Sequence, residues 1–347
     1  MTGALLVARL DNCGDVLLAG PAVRAAALSG RPVHLLCGPR GRAAGELLPG
    51  VSSLIEMHAP WIEPDPMPVR RDDAEALVER VRALGVTDAA ILVSSHQSPL
   101  PLALLLRWAG VRRIAAVSHE HAGSLLDVRV PGDPDVHEVE RGLLVTRALG
   151  LPALDDDRLL VDLGPDEGPL PVPPGRPYVV VHPGSSAPAR TLGADQWRDV
   201  AQTVSTTHLS VVITGSEEES GLSAAVTGDQ PDVLDLAGTL TWRQLGRVMS
   251  SATAVVTGNT GPMHLAAAVG TPVVAAFPPT VPVERWRPWR VPHVILGDQT
   301  VPCAHCRSRV CPFDEQMCVS SLRGRHVVEA LRALDAQAPV LDAGAPS

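Results

Sequence analysis

Apolar and polar residues alternate along this chain in blocks that predict strands and helices in turn. Short runs dominated by Val, Ile, Leu and Ala are typical of strands buried on both faces, and stretches with apolar residues at helical spacing separate them. In the first half, strands are predicted at 5–9, 33–36, 89–93 and 114–117, and helices at 16–28, 74–84, 100–108 and 137–149. Such alternation indicates βαβ units around a parallel sheet.

A stretch rich in proline and glycine, residues 164–177, interrupts this alternation. It cannot continue a helix or a central strand, so we interpret it as an interdomain linker. Beyond it, strands are predicted at 178–181, 209–214, 233–236, 254–257 and 273–277, and helices at 195–204, 217–226, 242–250 and 262–269. We therefore expect two doubly wound α/β domains, 1–163 and 178–347, facing each other across a cleft. The last helix could pack back on the first domain.

Composition and charge narrow the class of protein. Of the 347 residues, 45% are hydrophobic, which is enough for two buried cores, and no run of about 18 apolar residues predicts a membrane helix. The net charge of −9 argues against a nucleic-acid partner, because duplex binding needs a concentrated basic face. No basic segment precedes the first apolar run, so no secretory leader is expected and a cytoplasmic location is predicted.

The turn after the predicted strand 254–257 carries the strongest signal for ligand binding. Gly258-Asn259-Thr260-Gly261 leads into Pro262, a residue favoured at the first position of a helix. The backbone N–H groups of such a helix start bind phosphate or diphosphate without lysine, and His264 could add a donor. The alternative is that Asn259 and Thr260 only cap the helix while His264 packs inside.

Two further loops follow strands in the same half. The loop from His182 to Ser186 is small and polar, with Arg190 shortly beyond it, and lets a backbone approach an anion beside a fixed cation. Residues 215–219 offer carboxylates that could bind ribose hydroxyls. An ordinary loop with a solvated arginine, and acids favoured in a first helical turn, are the alternatives.

The first strand ends in a different polar turn, residues 9–15, which lacks the Gly-x-Gly-x-x-Gly spacing of dinucleotide-binding dehydrogenases. Asp15 stands at a helix start, where a carboxylate can take a proton from a hydroxyl nucleophile. Helix capping by Asp11 or Asp15 is the alternative. Asp11, His119 and His121 are candidate acceptor contacts, although a solvated loop explains the two histidines equally well.

Taken together, these motifs resemble glycosyltransferase family 9, the bacterial ADP-heptose:lipopolysaccharide heptosyltransferase family. Residues 9–15, 182–190, 235–239 and 258–264 carry the resemblance, in the family's order and over almost the whole chain. It implies a GT-B fold of two Rossmann-like domains. It also implies a nucleotide-diphosphate sugar held mainly by the C-terminal domain and an acceptor held by the N-terminal domain.

The resemblance assigns roles to particular residues, and Asp15 matches the family's proposed catalytic base. The donor-binding positions of the family fall on Ser185, Ser186, Arg190, Glu219, Asn259, Thr260, Gly261 and His264. Two of them depart from the usual pattern, because characterised members usually carry Asp at the position of Asn259 and Lys at that of Arg190. Asn removes a negative charge beside the diphosphate, and Arg keeps the positive charge. These two differences therefore bear on which donor is bound more than on which type of reaction is catalysed.

The resulting interpretation is an inverting, metal-independent glycosyltransferase that needs no cofactor for catalysis. It moves a sugar, heptose by resemblance, from ADP-heptose to a hydroxyl of a glycan or small-molecule acceptor, with helix-end N–H groups and Arg190 stabilising the leaving group. Peripheral membrane association is compatible with this. Two alternatives remain: a non-hydrolysing sugar-nucleotide epimerase, which turns over donor without acceptor, and a sugar-nucleotide-binding protein that has lost catalysis.

Six cysteines are present, and four of them fall close together near the C-terminus. Cys303 and Cys306 form a C-x-x-C pair, followed by Cys311 and Cys318, a pattern compatible with a structural zinc site that could also use His305. Reduced thiols packed in the fold are the default interpretation, the metal site is the sharper hypothesis, and a disulfide is disfavoured in the cytoplasm.

Overall fold

A computed structural model describes residues 3–337, apart from residues 64, 132–135, 166, 167, 174 and 231. Contacts divide the chain into two compact units. Unit 1 comprises Met1–Asp166 and Glu284–Trp289, and unit 2 comprises Glu167–Val283 and Arg290–Ser347. The first change of unit therefore falls inside the predicted linker 164–177, of which residues 166, 167 and 174 lie outside the described residues.

Unit 1 is built on a six-stranded parallel sheet in the order β3-β2-β1-β4-β5-β6. Its strands are β1 Ala4–Arg9, β2 Val33–Cys37, β3 Ser53–Glu56, β4 Val86–Ile91, β5 Arg113–Val117 and β6 Val128–Val130. Its helices are α1 Cys13–Leu18, α2 Gly20–Ala27, α3 Arg42–Gly45, α4 Arg71–Ala83, α5 Leu100–Trp108 and α6 Glu138–Ala148, with short 3₁₀ turns at Pro39–Gly41 and Gly123–Leu125. All six residues of β1 are buried, as expected for a central strand covered on both faces.

Unit 2 repeats this topology in the order β12-β11-β10-β7-β8-β9. Its strands are β7 Tyr178–His182, β8 Ser210–Ile213, β9 Val233–Asp235, β10 Ala254–Gly258, β11 Val273–Ala276 and β12 His293–Leu296. Its helices are α7 Ala194–Ser205, α8 Ser220–Thr227, α9 Trp242–Ser250, α10 Gly261–Ala268 and α12 Gly324–Gln337, with 3₁₀ turns at Pro188–Arg190 and Glu217–Glu219. A short helix, α11 Val283–Trp286, begins in unit 2 and continues into unit 1.

The predicted α/β class with two doubly wound parallel sheets is confirmed. In each sheet the strand order reverses beside the first strand of the unit, so β1 and β4, and β7 and β10, flank the switch points. In sheets of this kind ligands bind outside the carboxyl ends of the strands at the switch point. The turns after β1, β7 and β10 are therefore the places where function is expected.

Two predicted helices are divided in the structure. The stretch 16–28 forms α1 and α2, with the second helix restarting at Gly20 and carrying Pro21 at its first turn, where a proline fits because no N–H is required. The stretch 217–226 begins as a 3₁₀ turn before α8. The last helix, α12, packs on α7 within unit 2, where Gly324 N donates to Asp199 Oδ2 at 2.7 Å. No helix in the described part of the chain has the length and apolarity that a membrane crossing requires.

Candidate functional site

The first candidate site lies in unit 1, at the carboxyl end of β1. Arg9 is the last residue of this strand and is only 4% exposed. Because α1 begins at Cys13, Asp15 falls in its first turn. The N-cap of α1 is Asn12, and no side chain caps the helix. The capping alternative therefore explains neither Asp11 nor Asp15.

Arg9 contacts three carboxylates, those of Asp11, Asp15 and Glu138, and the hydroxyl of Ser94. We name these five residues the Arg9 cluster. The Nε of Arg9 lies 2.8 Å from Asp11 Oδ2, its Nη2 lies 2.8 Å from Asp15 Oδ1, and its Nη1 lies 3.0 Å from Glu138 Oε2. Nη2 also donates to Ser94 Oγ at 2.7 Å. The planar guanidinium fixes the direction of each carboxylate, and Asp15 is held through one oxygen only.

Solvent exposure separates the three carboxylates. The side chain of Asp15 is 21% exposed, against 9% for Asp11 and 1% for Glu138. Burial raises the pKa of Asp11 to about 6, although the Arg9 charge opposes this, and burial also raises the pKa of Glu138. Asp15 is thus the most accessible of the three carboxylates, and Asp11 and Glu138 are buried.

Sequence reasoning found Asp11 and Asp15 but missed Glu138 and Ser94. These two residues lie 129 and 85 positions from Arg9 along the chain, on α6 and after β4. The neighbouring Gln97 donates a short hydrogen bond to Asp11 Oδ1. The only local signal for Glu138 was its place in the first turn of a predicted helix. Acidic residues are common there because they stabilise the positive end of the helix dipole.

The two candidate histidines of unit 1 do not join the Arg9 cluster. His119 and His121 are both exposed in the loop after β5, which is separated from β1 by β4. Among the described residues, no hydrogen bond or ion pair links either histidine to Asp11 or Asp15. Their contact with an acceptor stays a prediction.

The second candidate site lies in unit 2, at the carboxyl ends of β7, β8 and β10. The turn after β10 leads directly into α10, with Thr260 as an extended N-cap that provides no side-chain cap and with Pro262 in the first turn. Asn259 is 5% exposed, and its Nδ2 has no hydrogen-bond partner among the described residues. A buried amide group without a partner, beside a helix N-terminus, is suited to an anionic ligand.

The Arg190 turn and the start of α10 are joined through the backbone. Asn259 N donates to Arg190 O at 3.1 Å. Gly258 makes this approach possible, because a Cβ at that position would lie 2.6 Å from Arg190 O. The structure thus brings Arg190 and Asn259 together, and their binding of a donor stays a prediction.

Glu219 reaches the loop that follows β7. A Cβ on Gly184 would lie 2.1 Å from the Glu219 carboxyl carbon, so a larger residue there would displace the flexible Glu219 side chain. Ser216 N donates to Glu219 Oε2 at 2.8 Å, and His182 Nε2 lies 3.8 Å from the same oxygen. Burial lowers the pKa of His182 to about 4, and its Nδ1 contacts Thr214 Oγ1 at 3.0 Å. His182 therefore lines this site as a neutral imidazole beside Glu219. The sequence analysis did not assign this role.

The remaining donor candidates lie on the same loops. Ser185 is half-buried and accepts a hydrogen bond from Ala187 N at 3.3 Å, whereas Ser186 is exposed. Gly261 is the first residue of α10, and His264, one turn into it, is 4% exposed. The neighbouring strands β7, β8 and β10 thus carry all of these candidates at one sheet edge.

The structure does not arrange the four cysteines as a metal site. Within the described residues, no three His, Cys, Asp or Glu side chains are grouped as a metal would require. Cys303, Cys306, Cys311 and Cys318 instead line a cavity of about 40 Å³ with apolar neighbours, in a segment of successive turns. This arrangement favours packed thiols, the default interpretation from the sequence, over the hypothesised zinc site.

The cysteine segment also supports the Arg190 turn. Ala189 N donates to Arg309 O at 2.9 Å, and Ala189 O accepts from Gln316 Nε2 at 2.8 Å. Arg309 Nη2 donates to Ser186 O at 3.4 Å. Residues 303–318 therefore hold the loop 186–190 in place through hydrogen bonds to its backbone.

Known proteins resemble this chain along most of its length. The *Pseudomonas aeruginosa* protein named lipopolysaccharide heptosyltransferase 1 is 28% identical over 271 residues, which cover 70% of this chain and 73% of that protein. Lipooligosaccharide heptosyltransferase 2 of *Campylobacter jejuni* is 24% identical over 173 residues. This second match covers 48% of the chain and spans about half, 54%, of the relative.

A solved structure shares the fold. The structure of ADP-heptose lipopolysaccharide heptosyltransferase II of *Escherichia coli* superposes with a TM-score of 0.75 at 21% identity, covering 96% of this chain and 99% of that one. The fold is therefore of the GT-B type that the sequence predicted.

The family follows from a match to the whole central part of the chain. The profile described as glycosyltransferase family 9 (heptosyltransferase) matches residues 81–317, which is more than half of the 347 residues. The matched range contains all of the donor-binding candidates of unit 2. This chain therefore belongs to glycosyltransferase family 9, a family of heptosyltransferase enzymes.

Proposed function

We propose that this protein is an inverting heptosyltransferase that transfers heptose from ADP-heptose to a hydroxyl group of a glycan or small-molecule acceptor. Membership of family 9 supports the reaction class. The donor is proposed from the relatives, whose names specify heptosyl transfer and, for the *E. coli* structure, ADP-heptose. A cytoplasmic location, with the acceptor supplied in solution or at a membrane surface, fits this proposal.

The orientation of Asp15 is the observation that carries the proposal. Arg9 holds Asp15 Oδ1 at 2.8 Å, and this side chain is the most exposed of the three carboxylates in the Arg9 cluster. The second oxygen of Asp15 has no hydrogen-bond partner recorded in the described part of the chain. A carboxylate fixed through one oxygen and open at the other is suited to accept a proton from an acceptor hydroxyl.

In the proposed reaction, Asp15 removes the hydroxyl proton as the acceptor oxygen bonds to the anomeric carbon of the donor. The bond between that carbon and the ADP phosphate oxygen breaks, and the configuration inverts. Asn259, the N–H groups at the start of α10 and Arg190 stabilise the departing diphosphate, with Glu219 on the ribose. This assignment uses helix-end N–H groups and a guanidinium in place of a bound Mg²⁺.

Replacing Asp15 by Asn tests the proposal. We expect Asp15→Asn to bind ADP as tightly as the parent protein and to lose transfer by about 10²–10⁴-fold, because the base is gone while the donor site is intact. Donor turnover with candidate acceptors and calorimetry with ADP measure the two quantities. Asp73→Asn, a change of the same charge at an exposed position in the first turn of α4, should change neither.

Three results would contradict the proposal. Full transfer by Asp15→Asn would remove Asp15 as the base. Equal affinity for ADP, UDP and GDP would remove the assignment of the donor. Donor conversion without any acceptor, giving an isomerised sugar nucleotide, would identify an epimerase, and a donor bound but never consumed would identify a binding protein.

A further inference from the structure

The four cysteines near the C-terminus of unit 2 share one small space, which we name the thiol cavity. Its volume is about 40 Å³, and the cysteines that line it are Cys303, Cys306, Cys311 and Cys318. Within the described residues all four are free thiols. Four thiols that line one small cavity are a reactive group, and the glycosyl transfer proposed above does not use it.

The four thiols differ in how easily a reagent in solution reaches them. Cys306 is exposed, whereas the other three are half-buried. The thiolate is the reactive form of cysteine, and burial raises the pKa of Cys318, which keeps this thiol protonated. Cys306 is therefore the thiol that a reagent reaches first.

The chain around Cys306 suits a disulfide with Cys303. The two residues form a C-x-x-C pair, and residues 302–305 form a turn. The ends of a four-residue turn lie within about 7 Å of each other, and the Cα atoms of a disulfide are usually about 4.4–6.8 Å apart. Because both thiols are free in the structure, closing the bond requires a local movement of this turn.

That movement would act on hydrogen bonds on both sides of Cys306. His305 N donates to Pro279 O at 2.6 Å, and Arg307 N donates to Thr280 O at 2.9 Å. The φ angles of His305 and Arg307 are 63° and 56°, in a region that residues other than glycine seldom adopt. A shift of Cys306 therefore disturbs a turn that is held from both sides.

The same turn continues into the residues that hold the loop 186–190. Arg309 O accepts from Ala189 N at 2.9 Å, and Arg309 Nη2 donates to Ser186 O at 3.4 Å. Ala189 also lines the thiol cavity, and the next residue is Arg190, a proposed donor contact. A movement of Cys306 is thus three residues and one hydrogen bond away from the Arg190 turn.

We propose that Cys303 and Cys306 are a reversible redox site whose oxidation to a disulfide weakens donor binding at the loop 186–190. The oxidant is a low-molecular-weight disulfide. The Cys306 thiolate attacks one of its sulfurs and releases one small thiol, and the Cys303 thiolate then attacks the mixed disulfide at Cys306 and releases the second. The protein dithiol thus gives two electrons and two protons to the small disulfide.

A reversible disulfide of this kind is typical of redox sensing in a reducing compartment, such as the cytoplasm proposed for this protein. The effect on the donor rests on the proposed function, whereas the formation of the disulfide and the movement of the loop 186–190 do not. The two parts of the inference are therefore measured separately.

Mass spectrometry of the full-length protein after incubation with oxidised glutathione tests the disulfide. We expect a Cys303–Cys306 bond and a mass lower by about 2 Da, both reversed by dithiothreitol. Cys303→Ser should instead keep glutathione on Cys306, because the thiol that releases it is gone. Cys306→Ser should form neither product at this pair. Cys311→Ser is the matched control, since it removes a half-buried thiol of the same cavity and should still form the bond.

Hydrogen exchange tests the connection to the loop 186–190 without any ligand. We expect the Ala189 amide to exchange at least about tenfold faster in the oxidised protein, because its hydrogen bond to Arg309 O is weakened. Calorimetry should show ADP affinity lower by at least about tenfold in the same state. Cys306→Ser should match the reduced parent in both measurements, with and without oxidised glutathione.

The redox site does not exist if oxidised glutathione produces no Cys303–Cys306 bond, or if the bond forms and the exchange of the loop 186–190 stays the same. Faster exchange with unchanged ADP affinity would contradict the effect on the donor. A parent protein that binds no ADP in either state, and whose loop still exchanges faster after oxidation, would support the redox site and contradict the proposed function.

Discussion

At the scale of single residues, the Arg9 cluster is distinguished by its balance of charge. One guanidinium is shared by three carboxylates, and the least exposed of them, Glu138, lies opposite Asp15 on Arg9. A carboxylate that competes for Arg9 prevents its full positive charge from acting on the others. We therefore expect Glu138 to be a positioning residue that adjusts how strongly Arg9 holds Asp15, the proposed base.

Glu138→Gln separates this role from a purely structural one. Gln keeps the shape and can still accept from Arg9, but the loss of a negative charge lowers the pKa of Asp11, which stands at about 6. We expect the titration of Asp11 to move to lower pH by about half a unit to one unit. The measurement is the pH dependence of the Asp11 carboxyl resonance, followed by NMR between pH 4.5 and 8.

Glu140→Gln is the matched control, because it removes the same charge from an exposed position of the same helix. Its pH profile should coincide with that of the parent protein, since solvent screens an exposed charge. A Glu138→Gln profile that also coincides with the parent would show that Glu138 only fills space.

At the scale of elements, the loops of unit 2 that we propose to bind the donor depend on close approaches at two glycines. Gly258 lets the Arg190 turn approach the start of α10, and Gly184 leaves room for Glu219. Both glycines stand at the carboxyl ends of strands, where a side chain would occupy the space of the neighbouring loop. At Gly258 glycine is required by contact with backbone and not by an unusual φ angle, whereas at Gly184 a Cβ would meet the flexible Glu219 side chain.

Gly258→Ala should therefore separate the two loops. The added Cβ would lie 2.6 Å from Arg190 O, which is backbone and cannot rotate away. We expect ADP affinity to fall at least about tenfold and the free energy of unfolding to fall by about 1–3 kcal/mol. Gly221→Ala is the control, since nothing lies within 4 Å of its Cβ in α8 and alanine favours a helix. Unaltered ADP binding by Gly258→Ala would show that the junction of the two loops does not shape the donor site.

The sequence correctly predicted those strands and helices whose apolar and polar residues follow a strong periodic pattern. The buried strands and the Gly-Asn-Thr-Gly turn before α10 were predictable, because apolar runs and helix-start residues are local signals. The edge strands β3, β6 and β12 were missed because they are short and only partly buried. The contact of Glu138 with Arg9 depends on tertiary structure, so no local pattern could reveal it.

At the scale of the whole molecule, each unit carries its own buried ionisable groups, and these make stability depend on pH. In unit 2 the clearest is His182, whose pKa burial lowers from 6.5 to about 4. The unfolded chain binds a proton at this histidine below pH 6.5, whereas the folded chain does not do so until about pH 4. The stabilisation is therefore complete above pH 6.5 and is lost as the pH falls toward 4.

His182→Gln should remove this part of the acid sensitivity. Between pH 7 and pH 5 the titration of one such histidine costs about 2 kcal/mol, so the parent should lose about 2 kcal/mol more than His182→Gln over this range. The measurement is urea unfolding at the two pH values, followed by the fluorescence of the six tryptophans, of which Trp197 is fully buried in unit 2. His208→Gln, at an exposed position of the same unit, should retain the loss seen in the parent. An equal loss in His182→Gln and the parent would show that His182 is protonated in the folded protein. That result would contradict the neutral imidazole beside Glu219.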